Sequence, residues 1–369
     1  MARIGIDARL AYYTRGGIAG YIRHLIRALA EVGGGHDYVI LHSRKHAENL
    51  ATAPDQRRAA LWTPAHHRIE RLALAAELLP RRLDVLHSTD FIPPLAGRYH
   101  SVITVYDLAF LRYPEFLTAE SRRYYNDQIE AAVRRADAII AISEATRADL
   151  ETLLGVPRDK VTVTWLAADE AFHPQPPEEI ARVRAAHDLP ADYALFVGTL
   201  EPRKNLRGLL RAYAELCADL PDAPPLVVAG GKGWLAGDLP ALVADLGLAE
   251  RVVWAGHVPP ADLPALYGGA SVFCLPSHYE GFGMPPLEAM ACGTPVVVSD
   301  RASLPEVVGE AGLLVDPDDP ASIADGLRRV LTDSGLAAAM RERGLIRAAA
   351  FDWRETARRT IAVYERVLR

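Results

Sequence analysis

Two carboxylates, Glu280 and Glu288, stand eight positions apart in the run Glu280-Gly-Phe-Gly-Met-Pro-Pro-Leu-Glu288. The run follows Ser271-Val-Phe-Cys-Leu275, whose apolar character reads as a buried strand. Pro285 and Pro286 suit a first helical turn, because proline lacks only a donor that is orphaned there anyway. Glu280 thus belongs to the turn, and Glu288 to the first or second turn of the helix. Gly281 and Gly283 let the backbone approach a ligand closely, with Phe282 and Met284 beside them. The helix N-terminus favours an anion such as a diphosphate. Carboxylates next to an anion site suit a ligand that also carries hydroxyl donors, as a nucleotide-sugar does. A second reading of Glu288 is a carboxylate that complements the helix dipole.

A second constellation is Phe196-Val-Gly-Thr-Leu-Glu-Pro-Arg-Lys-Asn205, where Gly198 ends a strand and a helix follows. Arg203 and Lys204 are adjacent cations at the expected helix start, where they oppose the dipole. Positive charge in a locally unfavourable place points to a bound anion. Arginine offers bidentate phosphate contact and lysine a compact charge. Two solvated surface cations are the plainer alternative. Gly256, His257 and Val258 end another strand in Val253-Trp-Ala-Gly-His-Val258, and could accept a flat nucleobase or form an ordinary turn.

The first half offers weaker signals. Gly16, Gly17 and Gly20 open an amphipathic helix behind Arg15, but their spacing is not the dinucleotide fingerprint GxGxxG. Asp7, His87, Tyr106 and Asp107 sit at expected strand ends, where ligand-facing residues belong. Asp7 also reads as a cap, and His87 as a packed structural residue. Ser143 reads most simply as a helix N-cap.

These residues require strands that deliver them and helices that cover the strands. Short β-branched runs alternate with helical periodicities along all 369 residues. Strands are expected at 3–7, 38–42, 84–87, 101–106, 138–141 and 161–165, then at 193–197, 226–229, 251–254, 272–275, 295–299 and 312–315. Helices are expected at 17–32, 118–135 and 144–154, then at 204–218, 239–246, 261–269, 285–291 and 320–332. This alternation predicts an α/β chain with parallel sheets. Twelve strands exceed one twisted sheet, and Asp169–Glu179, rich in proline, reads as a linker. Two Rossmann-like domains facing across a cleft follow, over 1–168 and 169–352. A last helix, 353–369, is expected to pack back on the first domain, and its apolar Ile361, Val363, Tyr364 and Val367 could pack across the domain junction.

The net charge of −6 argues against a general nucleic-acid binder. Basic and acidic residues nearly balance over 1–170, and the acidic excess lies beyond. Basic patches such as Arg57-Arg58, His66-His67-Arg68 and Arg81-Arg82 read as solvated faces, or as attraction to an anionic membrane surface or acidic acceptor. Cys217, Cys274 and Cys292 form no ligand cluster, so neither a disulfide framework nor a zinc site is expected. No apolar run approaches the roughly 18 residues of a membrane span. No signal peptide is read, and a cytoplasmic location follows, with peripheral contact to the inner membrane surface left open.

Together these stretches resemble glycosyltransferase family 4, of GT-B fold, over nearly the whole chain. The resemblance rests on GIDAR with GGIAGY, TVYDL, ADAIIAISEAT, FVGTLEPRKN, VVWAGHV and EGFGMPPLEAMACGTPVVVSD. It is nearest the branch of bacterial mannosyltransferases of O-antigen and capsule assembly. The resemblance implies retaining transfer of a hexose from a nucleotide-diphosphate sugar to a glycan or lipid-linked saccharide. The branch points to mannose from GDP-mannose. It implies that Arg203 and Lys204 bind the diphosphate, Glu288 the ribose hydroxyls, and Glu280 the hexose hydroxyls near the reacting carbon. Gly281, Phe282 and Gly283 would offer backbone donors, and Gly17 would close over the diphosphate. Many relatives carry His where this chain has Tyr106, so Tyr106 or Asp107 must fill that place. No metal or further cofactor is expected. A nucleotide-sugar 2-epimerase or hydrolase of the same fold, or a non-catalytic nucleotide-sugar-binding scaffold, is the alternative.

Overall fold

The computed structural model describes residues 1–13, 16–67, 69–116, 119–231, 233 and 237–369, the side chains of 119–124 and 127 excepted. Arg15, Arg68 and the first position of the expected 118–135 helix lie outside the described residues. The chain divides into two compact units, 1–166 with 352–369, and 167–351.

In the first unit seven strands form one sheet: β1 (Arg3–Asp7), β2 (Asp37–Ser43), β3 (Gln56–Leu61), β4 (Val85–Ser88), β5 (His100–Val105), β6 (Ala138–Ala141) and β7 (Val161–Val163). Their order is 3-2-1-4-5-6-7 and every pairing is parallel. In the second unit β8 (Ala194–Val197), β9 (Leu226–Ala229), β10 (Val252–Gly256), β11 (Val272–Leu275), β12 (Val296–Ser299) and β13 (Leu313–Val315) run parallel in the order 10-9-8-11-12-13. Central strands such as β4, β6, β9, β11 and β12 are buried throughout, as parallel strands covered on both faces must be. Each order reverses beside the unit's first strand, at β1/β4 and at β8/β11. Such switch points leave a crevice at the carboxyl ends of the strands.

The helices Leu10–Tyr13, Glu70–Leu78, Ala109–Arg112 and Leu304–Val308 were not expected, and three further elements also differ. β3 carries Gln56, Arg57 and Arg58 and lies at a sheet edge with alternating exposure, so it shows no apolar run. The expected linker stops at Pro176, because Pro177 at the helix start, with Glu178 and Glu179 in its first turn, begins a helix over Pro177–Ala186. A helix over Ser334–Ala349 escapes periodicity because its buried positions are Ala337, Met340, Gly344 and Ala348. Small side chains there allow close packing: a β-carbon at Gly344 would meet Met290 Cγ at 3.4 Å.

The final helix, Trp353–Leu368, packs on the helix Gly17–Val32. Its Ile361, Val363 and Tyr364 are buried. The Tyr364 hydroxyl and His87 Nδ1 lie 2.6 Å apart, and the Thr356 hydroxyl donates to the Trp165 carbonyl.

Candidate functional site

The second unit's switch point assembles the residues singled out by spacing. β8 ends at Val197 and leads through Gly198 to the short turn Pro202–Lys204. β11 ends at Leu275 and leads to Glu280 and the helix Met284–Ala291. Arg203 and Lys204 stand immediately before a helix start, in the turn Pro202–Lys204. Asn205, itself left-handed at φ 53°, caps the helix Leu206–Asp219 by accepting from the Gly208 N–H at 3.1 Å. The two cations lie in the turn just before that cap, where the positive end of the dipole opposes them and carboxylates must offset it.

Their charge is also paired within the protein. The Arg203 guanidinium donates to Glu280 Oε2 at 2.8 Å, to Glu201 Oε1 at 2.6 Å and to the Tyr279 carbonyl at 2.6 Å. Lys204 Nζ donates to Glu280 Oε1 at 2.9 Å, and the Ser277 hydroxyl to the same oxygen at 2.8 Å. Two cations and two carboxylates form a buried cluster without net formal charge. Buried charge requires such pairing, and this is why solvated cations are not what the structure shows. Burial pushes the Glu280 carboxyl up, but the Arg203 and Lys204 charges and their hydrogen bonds outweigh it and hold it at about 2.

The turn after β11 is fixed from below. The Ser303 hydroxyl lies 2.8 Å from the Glu280 carbonyl and 2.7 Å from that of Phe282. The Ser299 hydroxyl donates to the Ser277 carbonyl at 2.5 Å. Gly283 precedes the helix at φ 106°, a conformation that favours glycine. Pro285 and Pro286 bring no N–H to this helix end.

Glu288 lies on the second turn of that helix and accepts from the Tyr267 hydroxyl at 2.9 Å. Burial pushes its carboxyl up to about 7, against the lowering effect of the Tyr267 hydrogen bond and the Lys204 charge, and Asp169 adds to the rise. Glu288 retains a partly exposed surface, whereas Glu280 is buried. One carboxylate is thus held ionised and the other is poised near neutrality.

Glycines shape the rest of this sheet edge. Lys204 lies across Gly198, where a β-carbon would come within 2.6 Å of Lys204 Cδ. At Gly230, after β9, a β-carbon would fall 1.9 Å from the Gly198 carbonyl oxygen. Gly256 closes β10 at φ 63° and accepts from the Gly230 N–H at 2.7 Å. His257 beyond it is exposed and Val258 buried.

The first-unit candidates have other occupations. Asp7 is committed to Arg9, whose Nε and Nη2 donate to it at 2.9 and 2.6 Å. Arg9 is itself buried and also bridges to Glu70 at 2.7 Å. His87 is fully enclosed within β4, with Nδ1 on Tyr364 and Nε2 2.8 Å from the Thr104 hydroxyl. Burial pushes it down to about 3, so it is a neutral packing residue and presents no face to a ligand. The Tyr106 hydroxyl donates to the Thr89 carbonyl at 2.6 Å, and its ring meets Tyr21 edge to face. Burial raises its phenol well above the ordinary value, which removes it as a base. Asp107 Oδ1 accepts from the Ala109 N–H at 3.0 Å at the start of the short helix Ala109–Arg112. Ser143 caps Glu144–Leu154 as its sequence context predicts, accepting from the Thr146 N–H at 3.0 Å. Gly17 opens its helix with open space where a β-carbon would lie.

Sequence reasoning missed Glu201, Tyr267, Ser277 and Ser303. Ser277 stands three residues before Glu280, a spacing that could have flagged it. Tyr267 is distant in sequence and its position reads as ordinary helix core.

Residues 178–347 match the family model of glycosyl transferases group 1, and residues 15–172 that of glycosyltransferase family 4. The chain is 32% identical over 370 residues to the O-antigen chain mannosyltransferase B of Escherichia coli, covering 96% of this chain and 97% of that protein. It is 33% identical over 311 residues to a D-inositol 3-phosphate glycosyltransferase of Acidothermus cellulolyticus, covering 78% of this chain and 68% of the other. A sucrose-phosphate synthase structure from Thermosynechococcus elongatus matches 99% of both chains at TM-score 0.77 and 23% identity, a likeness of fold. Family models over both units, a full-length relative and a shared architecture therefore agree: the chain belongs to glycosyltransferase family 4, with the GT-B fold, and is a glycosyltransferase.

Proposed function

We propose that the protein is a retaining hexosyltransferase that moves mannose from GDP-mannose to a hydroxyl of a glycan or lipid-linked saccharide in cell-surface polysaccharide synthesis. The observation that carries this reading is the buried Arg203–Glu280–Lys204 cluster beside Glu288 at the switch point of β8 and β11. A relative named as an O-antigen chain mannosyltransferase and another named as a serotype-specific mannosyltransferase support the sugar, and the first supports the acceptor class.

The cluster suits an exchange of partners. A diphosphate takes the Arg203 and Lys204 donors that Glu280 holds in the free protein. Glu280 is then available to accept from hexose hydroxyls or to steady positive charge at the anomeric carbon. Glu288 accepts from the ribose hydroxyls. Negative charge that grows on the departing diphosphate meets fixed cations, which need no reorganisation as the bond breaks. Retention places the acceptor oxygen on the face the diphosphate leaves, so a diphosphate oxygen is the base nearest the acceptor proton. His87 and Tyr106 have no part in proton transfer. The acceptor belongs to the first unit and the donor to the second. This reading carries with it action in the cytoplasm.

A thermal-shift panel with GDP, UDP, ADP and TDP tests it, since a ligand of the native state raises the melting temperature. GDP is expected to stabilise selectively, and GDP-mannose to yield an α-linked product with a mannan acceptor. Indifference to all four nucleotides would overturn the reading.

A further inference from the structure

The buried Arg9 network supports something just beyond it. The Arg9 carbonyl accepts from the Tyr12 N–H at 3.1 Å, and the Ala8 carbonyl from the Ala11 N–H at 3.2 Å, which winds the helix Leu10–Tyr13 at the carboxyl end of β1. Leu10 and Ala11 turn inward and are buried. Tyr12 and Tyr13 turn outward, 42% and 40% exposed, and their rings meet edge to face with centroids 4.9 Å apart. A helix of four residues cannot hold itself in water. The Arg9 guanidinium, bound by Asp7, Glu70 and the Thr63 carbonyl, fixes its base. Two aromatic rings are thus presented to solvent on a rigid footing.

Hydrogen-bonding groups surround the rings. The Tyr13 hydroxyl lies 3.5 Å from that of Ser43, and the Tyr12 ring centroid 5.9 Å from that of His46. His46 Nε2 lies 3.3 Å from Glu48 Oε2. Arg23 Nη2 donates to the same oxygen at 3.1 Å and to the Ala11 carbonyl at 3.2 Å. The charges of Arg23 and Glu48 cancel, and both side chains keep a surface open to solvent. A sugar ring is the complement of this corner, with C–H groups on its faces and hydroxyls around its rim. Flat rings take the face, and a guanidinium beside a carboxylate takes adjacent hydroxyls. An interface between two copies needs a broad apolar face, whereas polar groups close in around these two rings. The location agrees: β1 borders the first sheet's switch point, where ligands of open parallel sheets bind.

We propose that Tyr12 and Tyr13 form an acceptor subsite, in which the rings stack on the C–H face of a neutral hexose of the acceptor saccharide while Arg23 and Glu48 bind its hydroxyls. The inference rests on the saccharide-acceptor reading given above and is independent of which nucleotide carries the donor sugar.

Titration of the full chain with α-linked mannotriose and with maltotriose, followed by saturation-transfer NMR with and without GDP, tests it. Mannotriose is expected to bind, with the strongest transfer to its ring C–H protons. Tyr12→Ala with Tyr13→Ala should weaken that binding about tenfold or more. Tyr12→Phe with Tyr13→Phe keeps both ring faces and should stay within about threefold of the parent. Unchanged melting temperatures, and an unchanged thermal shift with GDP, would show that both variants are folded. Equal mannotriose affinity in the parent and the double alanine variant overturns the inference and leaves the acceptor reading intact. A parent that GDP stabilises but that binds neither trisaccharide overturns both. Binding of maltotriose alone, lost in the alanine variant and kept in the phenylalanine variant, supports the subsite and changes the sugar it takes. A concentration-dependent dimer in equilibrium sedimentation that the alanine variant abolishes overturns the inference, since the rings would then join two copies.

Discussion

The Tyr267 hydroxyl and the Glu288 carboxylate share one hydrogen bond of 2.9 Å, and that bond works against the burial that keeps Glu288 protonated. With Glu288 at about 7, its ionised fraction grows from pH 6 to pH 8. If the ionised form accepts from ribose hydroxyls, nucleotide affinity should rise across that interval. Tyr267→Phe removes a lowering influence, so the midpoint of the affinity–pH curve should move to higher pH. Calorimetric titration with GDP at a series of pH values checks both. A flat profile in the parent would remove Glu288 from the nucleotide contact.

The two glutamates should also leave opposite marks on stability. Glu280 sits below its ordinary value of 4.5, so its contribution is present above pH 4.5 and is lost as pH falls toward 2. Glu288 sits above 4.5, so its ionisation costs stability as pH rises from 4.5 through 7. Glu280→Ala leaves Lys204 buried without its carboxylate and should destabilise by about 3 kcal/mol or more. Urea denaturation of parent and variant at pH 7 measures this. Glu280→Gln keeps the shape and should cost less.

Gly198 and Gly230 predict contrasting outcomes for the same substitution. At Gly198 a methyl group meets the flexible Lys204 chain, 2.6 Å from Cδ. Gly198→Ala should fold and lose about 10- to 100-fold in kcat/KM through a displaced ammonium. At Gly230 the methyl group meets backbone, 1.9 Å from the Gly198 carbonyl oxygen, at φ 151°. Gly230→Ala should lower the melting temperature sharply. Steady-state kinetics and thermal unfolding separate the two.

His87 should matter to stability and not to chemistry. Tyr364→Phe strips the hydroxyl from His87 Nδ1 and leaves a buried polar atom unmatched, at a cost of about 1–3 kcal/mol. With His87 held at about 3, stability should fall as pH drops below 6.5, because the unfolded chain then gains a proton that the fold refuses. The kcat of Tyr364→Phe at neutral pH should match the parent. A loss of turnover without a loss of stability would return His87 to the reaction.

Much of this was legible because burial and periodicity coincide. Runs such as Val272–Leu275 and Val296–Ser299 are apolar on both faces, as central parallel strands require, and the turn after the first delivers Glu280 where its spacing suggests. β3 was hidden because an edge strand tolerates Arg57 and Arg58, and the Ser334–Ala349 helix because its inward face is built from Ala and Gly. The site was legible in position more than in state. Adjacency shows Arg203 beside Lys204, but not that Glu201 and Glu280, 2 and 77 residues from Arg203, neutralise them. Contacts of that span, like Tyr267 to Glu288, leave no periodic trace. Asp7 does end β1 and His87 lies one residue inside the end of β4, yet such a position does not reveal whether Arg9 or Tyr364 already occupies the side chain.

The unit that opens the chain is completed by its final helix, with Tyr364 meeting His87 across 277 residues. During synthesis the segment 167–351 emerges whole and can close its own core, while the earlier-made sheet waits with one flank uncovered. Any premature stop before Trp353 therefore injures the oldest part of the polypeptide and spares the younger one.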